Sequence, residues 1–458
     1  MSTISGRIER LPFGRFHKHL LLMGGLGYTF DAMDAAIVAF VLPVLRHDWA
    51  LTSVQTGVLG SGNFIGYFFG ALLAGTLGDL IGRRKVMMWA LLLYSAATVV
   101  SAMTHSWPAF LASRIVAGVG TGAESAIIAP YLAEFVARRY RGLFTGSLAG
   151  FFSFGFVGAA LLGYFIVPAF AQGWRIVLCI TALPVVMLLW WRRALPESPR
   201  WLESRGHATE ADRVMTKIET EFAARGIALP APEPVSASAT PLNARQSATG
   251  TLLANFRALW AGRRSRITAM TWLMWLSITF SYYAFFTWIP GLLVQRGMSI
   301  TQSFGYSVGI YLAQIPGYFS ASWLNERIGR QATIATYMVL GGACALGMAF
   351  ATTGREIMLS GFCLSFFMNG TYAGVYAYTA EVFPTAVRTT GTGLASAVGR
   401  IGAIASPILV GYLFPKFGFG GVFGTTTVVL LLGAISVLVM GIPTRGRSLE
   451  DIAAHEAA

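Results

Sequence analysis

The sequence predicts an all-α membrane protein, with twelve transmembrane helices in two parallel six-helix halves. Three observations predict it. The 458 residues are 55% hydrophobic and only 12% charged, whereas soluble chains carry about a quarter charged residues. Apolar runs of about 20 residues, the length that crosses a bilayer, recur along nearly the whole chain. The two halves also repeat one another at a constant offset.

The runs place spans 1 to 12 at roughly 19–45, 54–78, 86–105, 109–135, 143–169, 174–194, 266–293, 302–324, 331–352, 356–380, 391–415 and 420–442. This gives an N-terminal segment (1–18), a first bundle (19–194), a central loop (195–265), a second bundle (266–442) and a tail (443–458). The start is polar and basic, and the apolar run after it is too long for a cleavable signal. Within the central loop, about 207–225 has a helical polar pattern, and 228–250, rich in Ala, Pro and Ser, reads as a flexible linker.

The formal charge of +14 would suggest nucleic acid in a soluble protein. Here it follows from basic loops on one side. Arg83-Arg84-Lys85, Arg138, Arg139, Arg141, Arg327, Arg330, Arg388 and the tails lie on one face, against Arg46, Arg175, Arg296, Arg355 and Lys416 on the other. That asymmetry predicts a multi-pass protein of the cell membrane with both termini cytoplasmic. Cys179, Cys344 and Cys363 each sit in an apolar run and read as small hydrophobes. No metal spacing, cofactor motif or disulfide framework is seen.

An offset of 247 pairs Pro43 with Pro290, Gly70 with Gly317, Asp79 with Glu326, Gly82 with Gly329 and Arg83 with Arg330. It also pairs Tyr131 with Tyr378, Glu134 with Glu381, Arg141 with Arg388 and Gly146 with Gly393. Six spans is an even number, so the second half enters in the same orientation and the repeat is parallel. Asp79, Arg83, Glu134, Arg141 and their counterparts Glu326, Arg330, Glu381 and Arg388 fall at cytoplasmic helix ends. They are expected to form an ionic latch that sets the conformational balance.

Ionisable groups at membrane depth are costly, so each is a functional candidate. Asp31 lies ~16 Å into span 1 at helical rise, and Asp34 is three residues on, along the same face. Two carboxylates this close resist ionising together, the property a proton-coupling site needs. Glu124, just past the glycine run of span 4, is a third candidate for proton coupling, or a partner for polar groups of span 1. Arg114 in the same helix either snorkels to the interface or pairs with Asp31 or Asp34. Arg400 lies ~14 Å into span 11, and its planar fork fits a carboxylate. The alternative is a fixed pair with an acid of the first half. Tyr283, Asn369, Tyr372 and Asn63 supply aromatic faces and amides for a pocket around an aromatic substrate.

Gly78-Asp79-Leu80-Ile81-Gly82-Arg83-Arg84-Lys85, its degenerate echo Asn325-Glu326-Arg327-Ile328-Gly329-Arg330, and Arg114-xxx-Gly118-x-Gly120-x-Gly122 resemble signatures of the major facilitator superfamily. Pro196-Glu197-Ser198-Pro199-Arg200-Trp201-Leu202 looks like the segment after span 6 of sugar porters and organic-ion transporters. Phe30-Asp31-Ala32-Met33-Asp34, with Glu9-Arg10-Leu11-Pro12 and Phe16-His17 upstream, is similar to the bacterial niacin (nicotinate) transporter family. Bacterial aromatic-acid proton symporters have a related acidic first helix. The resemblance implies a monomeric carrier that imports a small aromatic carboxylate, nicotinate first, by proton symport with alternating access. An aromatic-acid or general organic-anion symporter is the alternative, and a nutrient sensor without transport is a second. No enzyme signature is present: close helix packing explains the glycine run better than phosphate cradling.

Overall fold

The structure is a computed structural model and describes residues 4–231, 254, 256–262, 264–384 and 387–444. The described residues form the predicted twelve apolar passages. Spans 1 to 5 are Arg15–Asp48, Ser53–Ile81, Arg83–Met103, Trp107–Ala133 and Arg138–Ile166. Span 6 is broken: Gly173–Thr181, a 3-10 turn Leu183–Val186 around Pro184, then Met187–Ala194. Proline removes a donor from the helical ladder, which explains the break. Span 7 is Arg264–Gln295, and span 8 is two helices, Ile300–Leu312 and Gln314–Arg327. Spans 9 and 10 are Arg330–Phe350 and Gly354–Val382. Spans 11 and 12 run through Arg388–Met440 and turn at Gly418, whose φ of 61° is left-handed.

The helices pack into two compact units. One holds Met1–Ile37 and Gly62–Leu242; the other holds Val38–Ser61 and Asn243–Ala458. Outward-facing side chains of both include Trp89, Leu143 and Phe165, and Leu359 and Val439. These are surfaces that lipid tails cover at no cost.

Helices 2 and 3 of each half are joined by a one- or two-residue turn that ends in glycine. Gly82 (φ 104°) and Gly329 (φ 93°), one offset apart, are glycines in a conformation that side chains avoid. Span 2 approaches span 4 backbone to backbone. A Cβ on Gly66 would lie 1.9 Å from the Ile115 carbonyl, on Gly70 2.0 Å from that of Val119, and on Gly118 2.1 Å from that of Asn63. Gly120 faces the other way, towards Tyr94 of span 3. The glycine run of span 4 is therefore a packing element on two sides. The second unit repeats it, with Gly317 against the Phe366 carbonyl at 2.2 Å.

The N-terminal segment has more structure than its polar sequence suggests. Ile4–Glu9 is helical, span 1 is helical from Arg15, and the pattern at 207–225 is the helix Ala208–Ala223. The first and the last of these dock together. Ile8 and Leu11 join Met215, Ile218 and Phe222 in one buried cluster. Arg7 bridges Asp212 (2.5 Å) and Glu219 (2.7 Å), and Arg10 reaches Glu219 at 2.6 Å. Glu9 accepts from the Arg138 amide at 2.8 Å and lies 3.6 Å from Arg200. The 228–250 linker falls almost wholly outside the described residues.

Burial pushes the Glu219 carboxyl up, but the hydrogen bonds and charges of Arg7 and Arg10 outweigh it, and the group sits below its ordinary value. Its contribution is thus complete above the ordinary glutamate range and is lost as pH falls through the depressed value. Hydrogen exchange of Ile4–Leu11 should stay protected near neutral pH and open only in acid. Glu219→Gln should raise that exchange roughly tenfold or more at neutral pH, the scale of one charge-assisted hydrogen bond.

Candidate functional site: two buried polar centres and a repeated latch

In the first unit, Asp34 and Arg114 form an ion pair with both side chains at 0% exposure. Arg114 donates from Nη2 to Asp34 Oδ2 at 2.7 Å and from Nη1 to Oδ1 at 3.1 Å, a two-pronged pairing. Thr98 (3.0 Å) and Thr181 (3.2 Å) donate to Asp34 Oδ1, and the Asn63 carbonyl oxygen accepts from Arg114 at 3.4 Å. Two of the alternatives for Arg114 are thereby decided: it is paired, and with Asp34 rather than Asp31. Asn63 sits beside that pair. Thr98 and Thr181, which complete the shell, give no sequence signal, since apolar helices carry many threonines.

One turn earlier on the same stripe of span 1 lies a second acidic group. Asp31 accepts from the Ser125 hydroxyl at 2.7 Å through Oδ2, while Oδ1 has no hydrogen-bond partner among the described residues. Glu124 is fully buried, with neither carboxylate oxygen hydrogen-bonded, and it lies within electrostatic reach of Asp31. A Cβ on Gly27 would come within 3.0 Å of Glu124 Oε1 and of the Trp191 ring. Gly27, Asp31 and Asp34 thus share a helix face. The buried Trp191 Nε1 also has no hydrogen-bond partner among the described residues. A carboxyl group in such a setting can take up and release a proton where lipid excludes water.

The second unit has a different centre. Spans 7 and 10 bring Tyr282, Tyr283, Tyr372, Tyr376 and Trp275 into one aromatic cluster. Tyr282 meets Tyr283 at 5.2 Å and Tyr372 at 5.3 Å between centroids, both edge-on, and Trp275 meets Tyr376 at 5.0 Å. Arg400 is half-buried and within electrostatic reach of Tyr372. The residue before it, Gly399, packs against Trp275 and Thr279, where a Cβ would sit at 3.1 Å. The Tyr372 hydroxyl donates to Thr279 at 3.4 Å. Asn369 donates one amide N–H to the Gln314 backbone carbonyl at 2.7 Å. Gln314 follows the break in span 8. Its side-chain oxygen accepts from Tyr282 at 3.0 Å, and its buried Nε2 has no hydrogen-bond partner among the described residues. The structure brings Arg400, Tyr283 and Tyr372 into one neighbourhood, and sequence reading did not single out Gln314 or Trp275 beside them. The one available hint was Gln314 beside Pro316, a polar side chain at a probable helix discontinuity.

At the basic end, each unit has the same latch. Arg83 reaches Asp79 at 3.2 Å and Glu134 at 2.9 Å. Arg330 reaches Glu326 at 2.9 Å and Glu381 at 3.0 Å. Arg141 and Arg388 do not pair with these acids; each donates to a carbonyl five residues back, Val136 and Phe383, at 3.2 Å. The segment after span 6 closes over the first latch. Ser198 donates to Glu134, the Tyr131 hydroxyl to the Pro196 carbonyl, and Trp201 Nε1 to the Asp79 carbonyl at 2.9 Å.

Removing one partner of a buried pair leaves an uncompensated charge, at about 3–5 kcal/mol. Arg114→Met should therefore lower the thermal stability of purified protein strongly. The double variant Arg114→Met/Asp34→Leu should recover much of the loss, and additive losses would contradict a coupled pair. In the latch, Asp79 is largely exposed and Glu134 is not, so Glu134→Gln should destabilise more than Asp79→Asn, for which about 0–1 kcal/mol is expected.

The chain matches the sugar (and other) transporter family over residues 25–455. It is 40% identical over 450 residues to the niacin transporter NiaP of Acinetobacter baylyi, covering 97% of this chain and 98% of that one. It is 26% identical to the benzoate transport protein of the same organism, over 94% and 92% of the two chains. Among solved structures, the partially occluded inward-open xylose transporter XylE of E. coli superposes with a TM-score of 0.75 at 18% identity, over 95% of this chain and 100% of that one, a likeness of fold. The helix order, the basic-end latch and the full-length relatives agree: the chain belongs to the sugar (and other) transporter family of the major facilitator superfamily, and is a multi-pass membrane transporter and not an enzyme.

Proposed function

We propose that this transporter imports nicotinate by proton symport across the cell membrane, with both termini in the cytoplasm. The observation that carries the reading is Arg400 beside the Tyr283–Tyr372 cluster in a chain 40% identical to a niacin transporter. The guanidinium holds the carboxylate. The tyrosines and Trp275 offer edges and faces to a flat ring. Gln314 Nε2, a donor with no hydrogen-bond partner among the described residues, suits the pyridine nitrogen. Asn369 fixes Gln314 rather than touching substrate.

In the first unit, Asp31 and Glu124 carry the exchangeable proton. They are the carboxylates at membrane depth without a cation beside them in the hydrogen-bond network. Asp34, committed to Arg114, holds span 1 to span 4 and changes partner only if that pair opens. The latches around Arg83 and Arg330 set the balance between transport states. The orientation rests on the excess of basic residues at one end of the helices. Carriage of benzoate-like acids is the second reading, favoured by the benzoate relative. It differs in needing no donor for a ring nitrogen.

Proteoliposome uptake of labelled nicotinate, with and without an inward proton gradient, tests the proposal. Uptake should be driven by the gradient and should discriminate strongly against neutral nicotinamide. Arg400→Ala should reduce kcat/KM by ten- to hundredfold, the range for losing a charged hydrogen-bond partner. Equal transport of acid and amide would remove Arg400 from the substrate. Gln314→Leu should penalise nicotinate more than benzoate. Glu124→Gln should leave exchange of substrate intact while abolishing accumulation against a gradient.

A further inference from the structure

A second cationic cleft lies far along span 1 from the basic loops. It is formed within the second unit by the end of span 1, the start of span 2 and span 7. Its walls include Pro43, Arg46, Thr56, Thr287, Trp288 and Gln295. Arg46 donates from Nη2 to Ser53 at 3.1 Å, but its Nη1 is buried with no hydrogen-bond partner among the described residues. No acid lines the cleft. The nearby Asp48 is directed to His47, at 3.2 Å. Trp288 is held rigidly, its Nε1 donating to the Pro407 carbonyl at 3.0 Å.

Two other cations towards this end of the helices are engaged. Arg175 donates to the Ala102 carbonyl and lies over Trp174, while Arg296 reaches the Ala351 carbonyl at 2.5 Å and lies over Phe419. Arg46 differs in keeping a buried guanidinium nitrogen without an acceptor. Leaving such a donor unmet is costly, and a carboxylate is the partner that meets it best. A fixed indole in the same wall gives a flat ring something to lie against.

We propose that this cleft is a second binding site for small aromatic carboxylates, in which Arg46 takes the carboxylate and Trp288 the ring. It rests on the carboxylate reading above, and on that reading it lies on the face from which substrate arrives. It would load substrate at low occupancy before the deeper Arg400 centre is filled, and its chemistry repeats that centre's: one guanidinium, aromatic walls, amide and hydroxyl groups.

The test is local to the cleft. Gln295 is exposed at its rim. In full-length protein with Cys179, Cys344 and Cys363 replaced by serine, Gln295→Cys is labelled with a maleimide in the presence of nicotinate, benzoate or nicotinamide. Both acids should slow labelling, and the amide should not. The protection should survive Arg400→Ala and be lost with Arg46→Gln, while Arg46→Lys keeps part of it. In transport, Arg46→Gln should raise KM several-fold with kcat little changed.

Absence of protection by either acid overturns the site. So does protection that disappears with Arg400→Ala, which would place its origin at the deeper centre, or that persists with Arg46→Gln. Protection by benzoate without any nicotinate uptake would overturn the nicotinate assignment and leave the cleft standing. Normal nicotinate uptake without protection would do the reverse.

Discussion

A charge at membrane depth must find its partner inside the protein, because lipid offers none. The Asp34–Arg114 pair meets that demand with no exposed atoms and two threonine hydroxyls in support. Much of the first unit follows from placing those two side chains together. Span 4 must lie against span 1 at this height, and the glycines of spans 2 and 4 let their backbones touch so that Asn63 reaches the same arginine. Once Asp34 is committed, Asp31 and Glu124 are left as a separate acidic group one helical turn away. Their lack of cationic partners is then a property of the packing rather than of composition.

The two halves keep a common frame and differ at the centre. The frame is the left-handed glycine at the junction, the three-membered latch and the arginine that returns to a carbonyl five residues back, all found at the same offset. These are geometric tasks that any such six-helix half must solve: a tight turn with a fixed angle between two spans, and helix ends whose last carbonyls are satisfied. At mid-height the first half has acids and the second has tyrosines, a tryptophan and Arg400. The repeat is in the frame, and the two centres depart from it.

Sequence reading saw the frame well because its signals are local. Apolar length gives a span, a glycine between a carboxylate and a basic run gives the junction, and a constant offset gives the repeat. It also saw that Arg114 needed an acid on span 1. It could not choose between Asp31 and Asp34, since both share a face and the choice depends on where Thr98 and Thr181 fall in three dimensions. The partners of Asn63 and Asn369 were not legible for the same reason: an amide in a helix says that it needs partners, not which ones. Gln314 and Trp191 were passed over because their significance is an unmet hydrogen bond, which only packing reveals. The breaks in spans 6 and 8 were invisible to hydropathy, which is blind to a change of helix axis within an apolar run.

The docked N-terminal helix has a consequence for how the chain assembles. Arg7 and its partner Glu219 are separated by 212 positions, so a nascent chain produces the first long before the second. All six helices of the first half leave the ribosome in the interval. Until then, Arg7 lacks the helix that carries its acidic partners. That ion pair can therefore close only once every helix of the first half has been made.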